Sequence, residues 1–281
     1  MGKRLEERLM VGLMIASTVL VVGAPLLILG TVLVKGLPAL NLAMLTQVPQ
    51  GGYYQGKEGG ILNAIAGSLA LAGGATVISL FFGLGVALYL QVFARRKRLA
   101  RLVRISLDVL WGVPSIVYGA FGFTVMVLFG LRASLMAGTI TVALFILPMM
   151  SRAMDEVLKM VPFELKETSY ALGATRLETA VKVVLKQAFP GILTAVLVAF
   201  GRGISDAASV LFTASFTDSL PSSPFKPVAT LPLAIFFQLA TPFPEVQARG
   251  YASAFVLTVI VLVISVVSRI SSRRFTRHVV K

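Results

Sequence analysis

LMVGLMIASTVLVVGAPLLILGTVLV, residues 9–34, runs for 26 positions without a charge, between Arg8 and Lys35. At 1.5 Å per residue, about 20 apolar residues carry a helix across the roughly 30 Å of bilayer hydrocarbon, so this stretch is long enough to span. It is too long for the apolar region of a secretory signal, and no small-residue cleavage site follows it. A retained anchor is therefore expected. Five further apolar stretches follow at residues 61–93, 105–129, 135–150, 189–212 and 250–267, of which 135–150 is only marginally long. The sequence as a whole is 57% hydrophobic and 14% charged, with a mean hydropathy of +0.88, too apolar for a water-soluble domain. The reading is an all-α, polytopic membrane protein of about six transmembrane helices, with residues 1–281 forming one transmembrane domain.

The net charge of +14 does not point to nucleic acid, because the cations lie at the ends of the spans and not on one face of a soluble domain. Only Lys35, Lys57, Arg132, Lys226 and Arg249 fall on one side of the membrane; all other Lys and Arg except Arg202 fall on the other, with the N-terminus. The positive-inside rule then places both termini in the cytoplasm. Cysteine is absent, which excludes disulfides and thiolate metal sites.

On the cytoplasmic side lie a basic hairpin, 95–104, and a long segment, 151–188. Outside lie residues 35–60, a short turn at Arg132, and a Pro-rich stretch, 217–249. Within that stretch, residues 231–239 are apolar but too short to span, as in a re-entrant or surface helix. No internal repeat is evident, which disfavours a transporter built from inverted halves. Gly73-Gly74 and Gly83 with Gly85 suggest close helix packing. Pro114 suggests a kink whose freed carbonyl must be satisfied inside the bundle.

One pattern is set aside. Gly51-Gly-Tyr-Tyr-Gln-Gly-Lys-Glu58 follows a phosphate-binding loop until Glu58 stands where Ser or Thr should bind magnesium, and neither a strand nor a βα unit surrounds it. No HExxH or other catalytic constellation is present, so an enzyme embedded in the membrane is disfavoured. The lone His278 sits in the basic tail as a solvated residue.

The long cytoplasmic segment carries more information. Pro162 suits a first helical turn, Glu164 and Glu167 lie near the N-terminal end, and Gly173 supplies a C-cap after Leu172. The expectation is a short helix, a glycine turn and a second amphipathic helix returning to the membrane; a hairpin lying on the headgroups is the plainer alternative. In the fifth span, Arg202 lies twelve residues from Pro190, about 18 Å along a helix and near the membrane centre. Asp206 is four residues on, sharing a face if the helix continues. A static ion pair between them would lock the structure. A pathway element would use the guanidinium fork, which matches the oxygens of an oxyanion.

The segment from Glu167 to Ala174, with Gly191-Ile192 beyond it, resembles the EAA loop of ABC importer permeases, here residues 154–190. Thr168 and Ser169 replace the two alanines, and Lys186 stands where proline is common. Gly59-Gly-Ile-Leu-Asn-Ala-Ile-Ala-Gly-Ser-Leu69 and Asp108-Val-Leu-Trp-Gly-Val-Pro-Ser-Ile-Val-Tyr-Gly119 resemble the PstA-type permeases of phosphate-specific ABC importers, with residues 59–270 covering that family's core. Arg202-Gly-Ile-Ser-Asp-Ala207 is similar to their Arg-Ala-x-Gly-Glu-Thr stretch, with Asp for Glu and Ser for Gly. The resemblance implies a type I importer permease in a prokaryotic inner membrane, forming half of a path for inorganic phosphate. Another oxyanion or a phosphonate, or a secondary transporter or channel, is the alternative. It further implies that Glu167 contacts an ATPase, that Gly173 and Ala174 form the coupling turn, and that Arg202 and Asp206 line the pathway. The chain itself would hold no cofactor. ATP and magnesium would be bound by a partner ATPase dimer, and a second permease and an extracytoplasmic substrate-binding protein would complete the assembly.

The lack of cysteine makes sidedness testable. Ser219→Cys and Gly51→Cys are expected to react with an impermeant thiol reagent on intact cells or spheroplasts, and Lys97→Cys, Thr175→Cys and Ser271→Cys only after permeabilisation. Labelling at position 175 in intact cells would reverse the orientation.

Overall fold

A computed structural model describes residues 2–50, 59–94 and 96–275 of the chain. The phosphate-loop-like stretch from Gly51 to Glu58, and His278, lie outside the described residues. Regular structure is helical, with no β-strand among the described residues. Five helices are long and apolar enough to cross a membrane, and a bent pair is so only when its two helices are taken together.

The first candidate crossing is α1 (Gly2–Gly36), whose apolar side chains from Leu9 to Val34 are mostly exposed, as lipid contact requires. A 3₁₀ turn (Leu37–Ala39) and the short α2 (Leu42–Thr46), capped by the Asn41 side chain, lead to α3 (Leu62–Leu88). The end of α3 widens into a π-helical turn (Tyr89–Phe93).

The span expected at 105–129, kinked at Pro114, is broken more sharply than a kink. The chain instead forms α4 (Lys97–Gly112) and α5 (Ser115–Leu128), bent by 96°. Pro114 has no N–H to continue the ladder, and it forces Val113 into an extended conformation, φ −71° and ψ 130°. The carbonyl freed by Pro114 is that of Leu110, and it accepts the Tyr118 hydroxyl at 2.9 Å. The expectation that this carbonyl finds a partner within the protein is met.

The fourth span is longer than residues 135–150: α6 (Leu135–Lys159) passes through Pro148 for 25 residues. After it come α7 (Phe163–Ala171), a single turn α8 (Arg176–Glu178), a π-helical stretch (Thr179–Val184) and α9 (Leu185–Ile204). The fifth span therefore ends at Ile204 and not at residue 212, a second correction. Ser205 caps the end by donating its hydroxyl to the Gly201 carbonyl at 2.8 Å, and Asp206 accepts the Ser209 N–H at 2.8 Å, turning the chain away. Residues 205–230 are irregular, followed by α10 (Leu231–Leu239) and α11 (Pro244–Phe275). α10 occupies the expected short apolar stretch, with Leu231, Leu233 and Ala234 fully buried.

The core centres on α3, α6 and α9, where Ile146, Met150, Met154 and Leu158 of α6 are inaccessible. Ser79 of α3 donates to the Ala143 carbonyl of α6 at 2.8 Å. Gly74 and Gly83 allow this approach: a Cβ would stand 3.0 Å from Thr139 at the first and 3.1 Å from Ser151 at the second. Gly73 and Gly85 face open space, so only half of the glycine pattern marks packing. The irregular segment closes over the start of α6. Thr213, Lys226 and Pro224 carbonyls accept the N–H groups of Ser134, Leu135 and Met136, and the Ser134 hydroxyl accepts that of Ala137. All four N-terminal donors of the helix are thereby satisfied.

At the basic end of the bundle, Asp155 of α6 is wholly buried. Its carboxylate accepts Arg104 Nε at 2.7 Å and a second Arg104 nitrogen at 3.1 Å, Gln91 Nε2 at 2.7 Å, and Arg152 at 3.1 Å. Arg152 also reaches Asp108 at 2.6 Å. One carboxylate thus ties the π turn of α3 and the whole of α4 to α6. Asp155→Asn is expected to lower stability in detergent by about 3 kcal/mol, since it strands the Arg104 guanidinium and takes one partner from Arg152. Asp108→Asn, at a half-exposed position, is expected to cost under about 1 kcal/mol. Equal thermal shifts for the two variants would remove Asp155 from its central position.

Candidate functional site: a basic-end hairpin and a mid-membrane guanidinium

The hairpin begins where Pro162, in an extended conformation, stops α6 from running into α7. At the end of α7, Gly173 adopts φ +83°. Its N–H bonds the Tyr170 carbonyl at 2.9 Å, and the Ala174 N–H bonds the Ser169 carbonyl at 3.1 Å. These two bonds form a Schellman motif, in which the left-handed residue is most readily glycine. The next helix starts at once, because Thr175 and Glu178 form a reciprocal capping box. The helix–glycine turn–helix read from the sequence is the observed structure.

Glu167 lies exposed on α7 and has no ion pair among the described residues. Around it the hairpin presents apolar side chains to solvent: Met160 is 82% exposed and Leu172 84%, with Phe163 and Leu177 also projecting. A groove between α7 and the end of α3 is lined by Gln91, Val92, Phe163, Lys166, Tyr170 and Arg176 among others. Burial in it pushes the Lys166 ammonium below its ordinary pKa. Ser169, one of the two positions that depart from the EAA pattern, shares a hydrogen bond of 2.9 Å with Thr179, a buried residue of the following π stretch.

The second element lies at the other end of α9. Arg202 is exposed in the last turn, and its guanidinium sits over the ring of Phe145 of α6, 4.9 Å from the centroid. Phe145 meets Tyr118 of α5 edge to face at 5.7 Å. Phe145 is ten residues from the start of α6, about 15 Å along the helix and half of the hydrocarbon thickness.

The expected pairing with Asp206 is corrected. No ion pair joins the two residues among the described side chains, because α9 stops at Ile204 and the i,i+4 relation no longer holds. Asp206 serves as the acceptor that turns the irregular segment. Sequence reasoning missed Phe145 and Tyr118, which are ordinary apolar-span aromatics until the fold brings them to Arg202. It also missed Asp155, which stands in the sequence among Arg152, Glu156 and Lys159 as one more charge at the end of a span.

The pattern described as "Binding-protein-dependent transport system inner membrane component" matches residues 79–281. The chain is 36% identical over 212 residues to the phosphate transport system permease protein PstA of Yersinia pestis, covering 75% of this chain and 72% of that protein. It is 35% identical over 209 residues to the phosphate transport system permease protein PstA 1 of Mycobacterium tuberculosis (strain CDC 1551 / Oshkosh), covering 74% and 68%. Among solved structures, it is similar to a chain of the inward-facing MetNI methionine ABC transporter in its native CY5 crystal form. There the TM-score is 0.64 at 19% identity, over 76% of this chain and 95% of that one. The fold is that of an ABC importer permease.

A Cβ at position 173 would meet nothing within 4 Å, so any cost of replacing Gly173 comes from the backbone angle alone. Gly173→Ala is expected to destabilise the turn by about 1–2 kcal/mol. Amide exchange at Ala174 should then accelerate about tenfold or more, while exchange in α3 stays unchanged. Unaltered exchange at Ala174 would show that the left-handed turn is not holding the hairpin.

Proposed function

Because the chain belongs to the binding-protein-dependent transport system inner membrane component family, we propose that it forms half of the membrane path for inorganic phosphate in an ATP-driven importer. The observation that carries this reading is Arg202: a guanidinium on the exposed surface of the bundle, at the mid-membrane depth expected from the sequence, shelved on an aromatic ring and without a carboxylate partner among the described residues. An uncompensated charge at that depth is costly, and a planar fork of donors is suited to bidentate contact with phosphate oxygens. The relatives' role in phosphate transport supplies the substrate.

A second permease, identical or related, faces this surface and closes the path around Arg202. The exposed apolar hairpin at α7 docks on an ATPase dimer, with Glu167 at the contact, and ATP and magnesium are bound there and not in this chain. The charge asymmetry puts that hairpin and both termini in the cytoplasm. A substrate-binding protein delivers phosphate to the opposite face, and closure of the ATPase dimer moves α7, carrying the cavity between inward- and outward-facing states.

Arg202→Gln is expected to reduce phosphate uptake at least about a hundredfold with assembly intact, by removing charge and both donors. Arg202→Lys keeps the charge and should retain part of the activity. Asp206→Asn still offers an oxygen to the Ser209 N–H, so uptake should persist. Uptake by reconstituted complexes checks this order. Normal transport by Arg202→Gln would overturn the anion pathway.

A further inference from the structure

The 96° bend at Val113–Pro114 has a geometric consequence for α4. The bend sets α4 nearly at right angles to the apolar α5, so with α5 pointing into the hydrocarbon α4 lies close to the membrane plane. Its depth is set by the ion pairs to α6: Arg152 and Asp155 lie 17 and 20 residues beyond Leu135, about 26 and 30 Å along the helix. That is the hydrocarbon thickness, so α4 rests at the boundary with the headgroups.

The circumference of α4 fits that place. At about 100° per residue, a buried side and an exposed amphipathic side separate. Ala100 and Leu107 are buried on the side of α6. Leu99, Leu102, Ile105 and Val109 form an exposed apolar arc. Exposed Lys97 and Arg101 lie beside it, and exposed Arg98 lies within it at the start of the helix. Arg96, Lys97 and Arg98 rim a shallow concavity whose other wall is Leu99 and Leu102, so cations and apolar surface meet in one depression.

The charges are misplaced for a helix in water. The first turn of α4 holds no acid, Arg96 makes no side-chain cap, and none of Arg96, Lys97, Arg98 and Arg101 has an ion pair among the described residues. Cations at the positive end of the helix dipole repel it, and an external anion relieves both.

We propose that α4 is an interfacial helix whose cations, Lys97, Arg98 and Arg101, bind the anionic headgroups of membrane phospholipids while its apolar arc enters the acyl region. Basic residues near an anionic bilayer surface attract it individually and additively. The binding anchors the helix that Asp155 fastens to α6. It does not depend on which side of the membrane α4 faces.

Trp111 is the only tryptophan, so Trp111→Phe gives a silent background into which Leu102→Trp places a reporter beside Arg101. The full chain carrying both changes is reconstituted in equimolar phosphatidylcholine and phosphatidylglycerol vesicles, with brominated acyl chains on one lipid or the other. Brominated phosphatidylglycerol is expected to quench the reporter at least about twofold more strongly, and molar salt should erase the difference. Adding Lys97→Gln, Arg98→Gln and Arg101→Gln together should equalise the two lipids. Should that variant fail to insert, Arg98→Gln and Arg101→Gln singly should each give an intermediate preference. Equal quenching in the starting protein, or a preference that survives the substitutions, overturns headgroup binding. Absence of quenching by either lipid shows the arc covered by protein and overturns it as well.

Discussion

In hydrocarbon no water is present to hydrogen-bond an open backbone group, and each one left unpaired costs several kcal/mol, so every interruption of a membrane helix must be satisfied by the protein itself. The bundle has two large interruptions. At Pro114 the freed Leu110 carbonyl is taken by the Tyr118 hydroxyl, one turn further along the chain. After Ile204 the chain runs irregularly to residue 230, and its carbonyls cover the open N–H groups at the start of α6. The second arrangement satisfies two problems together, the unpaired segment and the uncapped helix. α6 can therefore begin inside the protein without a polar loop of its own.

The same interruption determines the character of Arg202. Had α9 continued, Asp206 would share its face and neutralise it. By stopping at Ile204 the fold assigns Asp206 to the Ser209 N–H and leaves the guanidinium on a shelf of Phe145. A cation at the centre of a membrane helix costs about 2.5–3.5 kcal/mol on insertion scales, and a cation–π contact returns about 0.5–2 kcal/mol. The ring offsets part of the cost and leaves a remainder that an anion can supply. The site is thus better suited to transient occupancy than a closed ion pair would be.

What was legible in the sequence follows the range of the interactions involved. The α7 hairpin was read correctly because Pro162 and Gly173 act on backbone groups within a few positions of themselves. The apolar spans were legible from length alone. The Asp155 cluster was not, since its partners Arg104 and Gln91 lie 51 and 64 residues away in the chain. Pro114 announced a kink, but nothing local gives its angle, which depends on α4 being fastened to α6. The end of α9 was missed for a related reason: residues 205–212 remain apolar enough to extend a span, and the local bonds of Ser205 and Asp206 favour the irregular path together with tertiary bonds to α6.

These connections make α6 the common member of the two candidate elements. Its outer end is capped by the irregular segment, its middle carries Phe145 beneath Arg202, and its basic end holds Asp155, with only Met160, Val161 and Pro162 separating it from α7. A displacement of α7 therefore enters α6 almost directly. It also enters the helix leading into α9, through the bond between Ser169 and Thr179. Alanine at position 169 has no hydroxyl to make that bond, so the departure from the EAA pattern adds a second connection. On the proposed mechanism, a pull at the hairpin is shared by the two helices that together hold Arg202 and its aromatic shelf. Close-packed helices respond to such a load as rigid bodies and not by local deformation. The guanidinium and Phe145 then move as a pair, so the anion site changes its access without losing its geometry.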